Sequence, residues 1–461
     1  MRFMPAALVL QTGLALAGVA SGSADGFSIY ADRYPTDREA AANFTGAKLE
    51  PRYGCYAGAF IDLDDTIRDT YTDQTGKVRR IPDLFERLTG KPHATYFYYM
   101  GYGRPLAGDW IQKLGGEGKI VHIALEPNGG LDLVKDDAYL ASLAKGLAST
   151  GTPVFIRFAS EMNGRWVKYN GNPKLYREKF QLVARKMHEL APNVAMVWCP
   201  YATPTDNIAT YYPGDAAVDW VGVNIYSVTY YDQKMGQPGY HDHPVEKLDY
   251  IYDRYAKAKP IMVGEFGATH FSAVENSPTV AFAVRAIKGM YESLPRRYPR
   301  VKCINYFNTN NLDLEHRKNN NYAVTQNREV LDLYRRLVGQ DYFLSEAADQ
   351  SGYLAHSMVA IPVSGDKAPP LYPKSPMRVV NGQVLTGTVR LSGWVEDGTG
   401  KAKMHFIVDG KKLYIASVKD DWGFDLDTTK LTNGTHKLEL RAEISGKLIG
   451  QASVDVAVRN P

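Results

Sequence analysis

Short apolar runs alternate with segments of helical period over most of this chain. Eight runs predict strands, at residues 53–61, 94–100, 120–125, 154–159, 194–198, 218–225, 261–263 (where the seventh strand begins) and 301–307. The segments between them predict helices, except that the segment after the fifth run is short and loop-like. Buried parallel strands joined by helices predict an α/β fold, a (β/α)8 TIM barrel over residues 51–340. A doubly wound open sheet is the alternative, but no glycine-rich dinucleotide fingerprint follows the first strand.

The pattern changes near residue 377 to apolar and polar positions that alternate with period two. Strand candidates are residues 384–395, 403–408, 412–418, 434–444 and 448–458, with turn dipeptides at Asp409-Gly410 and Asn433-Gly434. Short strands without a helix predict a small all-β Ig-like sandwich domain over residues 377–461. Residues 341–376 are irregular and proline-containing, which indicates a linker. Nothing in the sandwich is of a catalytic type, so we expect a spacer or a sugar-binding module.

The first 24 residues have the pattern of a secretory signal peptide, with Arg2 before an uncharged, mostly apolar stretch and small residues at its end. A retained membrane anchor is the alternative, but the stretch is short and interrupted. Residues 25–50 are polar and weakly patterned, and we interpret them as a leader. The sequence therefore predicts a secreted or periplasmic protein with no integral membrane segment after signal cleavage.

Charge and cysteine content exclude some classes of partner. The chain has 54 basic and 50 acidic residues, a formal net charge of +4, and no basic run that would track a phosphate backbone, so we expect no nucleic acid partner. Cys55, Cys199 and Cys303 all fall in predicted strands, where they are interpreted as small buried hydrophobic residues. A disulfide between Cys55 and Cys303 is the alternative, because the first and last strands become neighbours when a barrel closes. No cysteine–histidine spacing indicates a metal site.

Two glutamates follow apolar strands in matching positions. Glu161 comes after the fourth strand and Glu265 after the start of the seventh, so both belong to the C-terminal face where barrel active sites form. Arg157 shares a strand face with Glu161 if the strand persists that far. Paired carboxylates cleave glycosidic bonds, with retention at a separation of about 5–5.5 Å and inversion at about 6.5–9.5 Å. The alternative is that each is an ordinary surface or ion-paired glutamate.

These segments resemble glycoside hydrolase family 26, a clan A family best known for β-mannanases. The resemblance lies in Arg157-Phe-Ala-Ser-Glu161-Met-Asn163-Gly164-Arg-Trp166, in Val263-Gly-Glu265-Phe-Gly and in Asp219-Trp-Val-Gly-Val-Asn-Ile-Tyr226. It implies that Glu161 is the general acid/base, that Glu265 is the nucleophile, and that Tyr226 touches the nucleophile. The chain departs from the family in carrying Ser160 where members carry histidine, and Tyr306-Phe307 where they often carry tryptophan.

The remaining polar and aromatic residues near the strand ends are candidates for substrate binding. The alternative for the aromatic residues is that they pack in the core, and the alternative for Glu126 is that it forms a structural ion pair. The predicted substrate-binding set is Glu126, Arg157, Ser160, Asn163, Trp166, Trp198, Tyr201, Asn224, Tyr226 and Tyr306.

The predicted function is that of a secreted retaining glycoside hydrolase acting on a β-linked polysaccharide: β-mannan, β-glucan, xylan or a bacterial exopolysaccharide. Two carboxylates suffice for this chemistry, so no cofactor or metal is expected. The expected partner is the polysaccharide itself, and we expect a monomer. A non-catalytic protein that binds polysaccharide or assists its export or biofilm assembly is one alternative. A transglycosylase that uses the same residues is the other.

Overall fold

The computed structural model describes residues 29–33, 44–239, 242–314, 318–349, 352, 375–393, 401–417 and 423–460. The predicted signal peptide and most of the predicted linker lie outside these residues. Within the described residues, the helices are too short or too polar to cross a membrane.

Eight parallel strands close into a barrel, which confirms the predicted fold. The strands are β1 (Cys55–Phe60), β2 (Thr95–Gly101), β3 (Ile120–Glu126), β4 (Val154–Phe158), β5 (Val194–Trp198), β6 (Trp220–Ser227), β7 (Ile261–Ala268) and β8 (Val301–Phe307). Each strand pairs with the next in chain order, and β8 pairs with β1 from Cys303↔Tyr56 to Phe307↔Phe60. Almost every strand residue is buried, as expected for a parallel sheet covered by helices outside and filled by side chains inside.

Among the described residues, seven helices surround the barrel. They are α1 (Pro82–Thr89), α2 (Gly108–Gly116), α3 (Ala138–Thr150), α4 (Pro173–Leu190), α5 (Glu246–Tyr255), α6 (Val280–Arg297) and α7 (Arg328–Val338). The longest two, α4 and α6, have 18 residues each. In α4, the Asn172 side chain caps the start of the helix by accepting a hydrogen bond from the Leu175 amide, and Pro173 is the first helical residue. Its buried face is formed by Phe180, Val183 and Met187. Only a 3₁₀ turn, Ile208–Tyr211, stands between β5 and β6, in agreement with the loop-like segment predicted there.

A buried ion pair closes the end of the barrel opposite the strand carboxyl ends. Glu50, just before β1, accepts from Arg300, just before β8, at 2.5 Å, and both side chains are fully buried. The second Glu50 carboxylate oxygen accepts from the Thr45 amide at 3.0 Å and the Thr45 hydroxyl at 2.5 Å. The pair therefore fastens the segment that precedes the barrel to its last strand.

Glu50→Gln is expected to lower the free energy of barrel unfolding by about 3–5 kcal/mol, because it leaves the Arg300 charge buried without its counterion. Urea denaturation measures the change. The matched control is Glu117→Gln, which removes a partly exposed helical pair with Lys113 and should cost about 0.5 kcal/mol or less. An equal, small effect of both substitutions would show that the Glu50–Arg300 pair does not stabilise the barrel.

The C-terminal part is a two-sheet sandwich, as predicted. One sheet has the order Ser375–Arg378, Ile29–Arg33, Thr388–Gly393 and Gly423–Asp427. The other has the order Val384–Leu385, Lys447–Val458, Gly434–Ile444, Lys403–Val408 and Lys411–Ala416. Buried residues of both sheets form one hydrophobic core, which holds the sandwich together.

One strand of this sandwich comes from the N-terminal side of the barrel. Ile29–Arg33 pairs antiparallel with both Ser375–Arg378 and Thr388–Gly393, and its Ile29 and Ala31 belong to the sandwich core. The interpretation of residues 25–50 as an unpatterned leader therefore missed this strand. Five residues are too few for a period-two pattern to stand out, and their partners lie more than 300 residues away in the chain.

All three cysteines are buried, and each is a free thiol. Burial raises the pKa of all three thiols. This agrees with their interpretation as small buried hydrophobic residues, and it does not support the alternative of a disulfide between Cys55 and Cys303.

Candidate active site

The segment after β4 turns sharply. The strand ends at Phe158, and Ala159 and Glu161 adopt positive φ angles of 50° and 60°. The turn is held by the Glu161 amide, which donates to the Cys199 carbonyl at 2.9 Å. The strand therefore does not persist to Glu161, and the condition under which Arg157 and Glu161 would share a strand face is not met. Left-handed backbone is costly for residues other than glycine, and such strain is typical of functional sites.

Glu161 is held by two side-chain donors. The Asn224 amide donates to one carboxylate oxygen at 2.8 Å, and the Trp166 indole donates to the other at 2.6 Å. Burial, together with the nearby negative charge of Glu265, raises the pKa of Glu161 to about 7 in spite of these donors. A carboxyl group with this pKa is protonated in about half of the molecules at neutral pH, which suits a general acid.

Glu265 lies on β7, is 4% exposed, and receives three donors. One oxygen accepts from Arg157 at 2.5 Å and from the Tyr99 hydroxyl at 2.6 Å, and the other accepts from the Tyr226 hydroxyl. Burial by itself would raise the pKa of Glu265, but the Arg157 charge and the three hydrogen bonds outweigh it and lower the pKa below its ordinary value. Glu265 is therefore an ionised carboxylate at neutral pH.

Arg157 and Asn224 connect the two carboxylates. Arg157 is fully buried and donates one guanidinium nitrogen to Glu265 and the other to the Asn224 carbonyl oxygen at 2.9 Å. Since that oxygen is occupied, the Asn224 amide nitrogen points to Glu161. Asn224 and Glu265 are register partners on neighbouring strands, so the two carboxylates face the same small volume.

Gly264 makes this arrangement possible. A Cβ atom at this position would lie 2.6 Å from the Asn224 carbonyl oxygen and 3.0 Å from Arg157 Nη1. No side chain fits in that space without displacing the network that orients both glutamates. The glycine before the seventh-strand glutamate is thus explained by close packing against the site.

Glu126 and Ser160 lie behind Glu161. The Ser160 hydroxyl and the Tyr169 hydroxyl each donate to one oxygen of Glu126, both at 2.5 Å. Burial raises the pKa of Glu126, and the two hydrogen bonds oppose that rise. With both carboxylate oxygens occupied, Glu126 fixes the turn that carries Glu161. Ser160 stands where the resembled family has histidine and is 5% exposed. Its hydrogen bond to Glu126 helps to hold the same turn.

Three aromatic side chains border the two glutamates. Trp166 is 58% exposed, and its ring lies edge-on to Tyr201 at 5.2 Å between centroids. Tyr201 in turn stacks near Tyr226 at 6.4 Å. An exposed tryptophan that also touches Glu161 is suited to packing against a sugar face.

Three other residues that were predicted to contact the substrate are buried away from it. Trp198 is fully buried and packs against Tyr212 and Tyr255 outside the barrel. Tyr306 is also fully buried and donates its hydroxyl to the Tyr322 carbonyl at 3.0 Å. Alternate residues of a strand face opposite sides, and both of these face the helices. Asn163 is 1% exposed, and backbone groups of the loop after β5 use its whole amide.

Tyr99 was not among the predicted site residues. It lies on β2 and donates to Glu265 at 2.6 Å. The predicted strand contains a run of aromatic residues, and counting alternate positions along it places Phe97 and Tyr99 on one face. Which of the two faces of the strand is turned to the barrel axis is not visible in that run, since both are apolar.

Two stretches of the chain match known sequence families. Residues 124–238 match the sequence model described as Glycosyl hydrolase family 26, and this stretch contains Glu161 with its support and Asn224. In this stretch the chain is similar to glycosyl hydrolase family 26. Residues 379–440, which belong to the C-terminal sandwich, match the model described as Bacterial Ig domain.

Among curated proteins, the chain is similar over part of its length to two xylanases. It is 33% identical over 116 residues to the β-1,3-xylanase TXYA of a Vibrio species and 30% identical over 116 residues to a β-1,3-xylanase of an Alcaligenes species. Each match covers 23% of this chain and 24% of the relative, so the chain spans about a quarter of the length of these relatives.

Solved structures of mannanases also align with the chain. The Cellulomonas fimi endo-β-1,4-mannanase double mutant aligns with a TM-score of 0.45 and 16% identity, covering 90% of this chain and 99% of that one. The Bacteroides ovatus family 26 β-mannanase aligns with a TM-score of 0.45 and 14% identity, covering 67% of this chain and 95% of that one. The similarity to family 26 lies in the sequence match of residues 124–238.

Proposed function

We propose that this protein is a retaining glycoside hydrolase that cleaves a β-linked polysaccharide, with Glu265 as nucleophile and Glu161 as general acid/base. The observation that carries the proposal is the opposite tuning of two neighbouring carboxyl groups. The pKa of Glu161 is raised to about 7, and that of Glu265 is lowered. A pair of carboxyl groups whose environments separate their pKa values in this way is equipped for acid and nucleophile roles at one bond.

In the first step, an oxygen of Glu265 attacks the anomeric carbon of the bound sugar. Glu161 gives its proton to the glycosidic oxygen as that bond breaks, so the leaving chain departs as a neutral alcohol. The product is a glycosyl ester on Glu265. Arg157, Tyr99 and Tyr226 hold the Glu265 carboxylate in a fixed orientation throughout.

In the second step, Glu161 is an anion and removes a proton from a water molecule, which attacks the same carbon. The ester bond breaks and Glu265 leaves as a carboxylate. Esterification removes the negative charge of Glu265, which in the free protein helps to raise the pKa of Glu161. The pKa of Glu161 therefore falls when the intermediate forms, and the same residue becomes a base when one is needed.

Trp166→Phe is expected to move the alkaline limb of kcat/KM to higher pH. Activity requires ionised Glu265 and protonated Glu161, so it rises through the lowered pKa of Glu265 and falls through about 7. The indole stabilises the Glu161 anion, and its loss raises that pKa further. Because Trp166 does not contact Glu265, the acidic limb should stay in place. A pH profile of kcat/KM checks both statements.

Tyr201→Phe is the control for this experiment, because it removes a polar group from the same aromatic wall but no hydrogen bond to Glu161. Its alkaline limb should keep the wild-type position. An unchanged limb in Trp166→Phe would mean that Glu161 is not the group that titrates there.

The proposed substrate is a β-linked polysaccharide, and β-mannan, β-glucan, xylan and bacterial exopolysaccharides are the candidates. The similarity to two β-1,3-xylanases motivates β-1,3-xylan as one member of the test set. We also propose export of the protein, for which the signal-like pattern of the first 24 residues is the support.

Reducing-end release from a panel of these polymers tests the function. Wild type is assayed beside Glu161→Gln and Glu265→Gln. Release from one polymer by wild type, lost in both variants, is the expected result. If no polymer is cut but one is retained equally by all three proteins, the protein binds polysaccharide without cleaving it and the proposed hydrolysis is wrong. Transfer products in place of hydrolysis products would identify a transglycosylase.

A further inference from the structure

A cavity of about 410 Å³ lies beside the candidate nucleophile. Its walls are the carboxyl end of β2, the loop after β3, and a hairpin between β1 and α1 formed by Thr70–Thr72 and Val78–Arg80. Tyr99 lines the cavity and also donates to Glu265. The cavity and the candidate nucleophile therefore share Tyr99 as a neighbour. The volume is in the usual range for ligand sites.

The charged side chains that line this cavity are all cationic among the described residues: Lys77, Arg79 and Arg104. Arg79 is buried and forms ion pairs with Asp62 at 2.9 Å and with Asp73 at 2.8 Å, so these two carboxylates neutralise its charge. Lys77 and Arg104 are exposed, and no carboxylate of the described residues lies within 4 Å of either cationic group. Two positive charges thus border the cavity outside any close ion pair, and the carboxylate that Lys77 interacts with at longer range, Asp62, is already paired with Arg79.

The two cations stand on fixed backbone. Lys77 belongs to a turn in which its amide donates to the Asp73 carboxylate at 3.1 Å, and the buried Arg79–Asp73 pair anchors that turn. The Arg104 amide donates to the Gly101 carbonyl at 3.1 Å. The Arg104 stem lies over Gly101: a Cβ atom there would be 3.5 Å from Arg104 Cγ and 3.9 Å from the Asn128 side-chain amide. Arg104 and Asn128 therefore converge at the end of β2.

A buried hydroxyl group in the cavity wall has no partner. Tyr98 lines the cavity, is 2% exposed, and its hydroxyl makes no hydrogen bond to any described residue. The Arg79 guanidinium covers its ring at 4.1 Å. Buried hydroxyl groups without a partner are uncommon, and they are candidates for an interaction with a bound molecule or a water.

We propose that this cavity binds the carboxylate of an acidic sugar residue, a uronate or a sugar with a carboxylate substituent, so that the preferred substrate is an anionic β-glycan. A neutral polymer offers no group that would compensate Lys77 and Arg104, whereas a carboxylate accepts a charge-assisted bond from each. The inference rests on the proposed function, since it assigns a subsite to the same cleft.

Binding of matched oligosaccharides to the Glu161→Gln protein tests the inference without turnover. Oligomers of β-1,4-mannuronate are compared by calorimetry with β-1,4-manno-oligosaccharides of equal length, and oligomers of β-1,4-glucuronate with cello-oligosaccharides. The members of each pair differ only at carbon 6. We expect the acidic member of at least one pair to bind about tenfold more tightly or better, with an advantage that shrinks at high salt.

Arg104→Gln, added to the same protein, should remove about tenfold of the affinity for the acidic member and most of its advantage over the neutral one. Lys145→Gln is the matched control, because Lys145 is an exposed cation on α3 that does not line the cavity. It should bind both members of each pair as the parent does. A neutral member that binds as tightly as its acidic counterpart, or an Arg104→Gln effect no larger than that of Lys145→Gln, overturns the inference.

These outcomes are separate from those of the proposed function. Cleavage of a neutral polymer that depends on both glutamates, with no preference for acidic oligomers, refutes the acidic subsite and leaves the hydrolase intact. Tight, Arg104-dependent binding of an acidic oligomer that wild type never cleaves refutes the hydrolase and supports the subsite.

Discussion

Glu265→Gln is expected to lower kcat on the cleaved polymer by on the order of 10⁴-fold, because an amide cannot form the glycosyl ester. The loss should fall on kcat more than on KM, since Glu265 is 4% exposed and its neighbours still shape the cleft. Initial rates of reducing-end release check the effect. Glu178→Gln is the matched control, because Glu178 is an exposed glutamate on α4, outside the barrel, and its variant should keep wild-type rates.

A second variant shows which step is lost. Glu265→Gly leaves a space beside Arg157 where a small anion such as azide can stand in for the carboxylate. With a β-glycosyl fluoride as donor, azide should restore turnover and give the α-glycosyl azide, because a single displacement inverts the anomeric carbon. If Glu265→Gln keeps a rate within tenfold of wild type, or if azide restores nothing, Glu265 is not the nucleophile.

Glu161→Gln is expected to lower kcat on the polymer by about 10²–10⁴-fold, with an effect that depends on the leaving group. A sugar alcohol needs the proton that Glu161 supplies, whereas dinitrophenolate leaves without one. On a dinitrophenyl β-glycoside the first step should therefore proceed, and the second step should become slow because no base activates water. Stopped-flow absorbance should show a burst of dinitrophenolate followed by a slow steady state.

The alkaline limb also tests the role of Glu161. In wild type it should lie near pH 7, where Glu161 loses its proton, and it should vanish in Glu161→Gln. Added azide should speed the second step of this variant and give the β-glycosyl azide, the anomer opposite to the one expected with Glu265→Gly. The same anomer from both variants, or no burst with the activated substrate, would contradict the assigned roles.

The barrel could be predicted because its signals are local. Each strand is a short apolar run, and the two glutamates stand where the fourth and seventh runs end, so their meeting at one face follows from parallel pairing alone. The predicted bounds of β5 and β8, residues 194–198 and 301–307, coincide with the observed strands. The spacing of apolar residues and the position of a residue at the end of an apolar run can both be read from the sequence without knowing how the chain packs.

The features that escaped prediction depend on long-range contacts. Tyr99 becomes a partner of Glu265 only when β2 and β7 face each other across the barrel axis. Trp198 and Tyr306 were expected at the cleft from their places near strand ends, but strand parity turns both toward the helices. The strand Ile29–Arg33 is defined by partners at the other end of the chain. None of these pairings leaves a mark on neighbouring residues in sequence.

Double displacement requires a glycosyl ester on Glu265, and trapping that ester tests the mechanism. The Glu161→Gln protein is mixed with the dinitrophenyl β-glycoside of the sugar that the wild type releases, quenched in acid during the slow phase, digested and analysed by mass spectrometry. We expect one added glycosyl residue per chain, on the peptide that contains Glu265. A label on another residue, or steady release of dinitrophenolate from protein that carries no label, would contradict it.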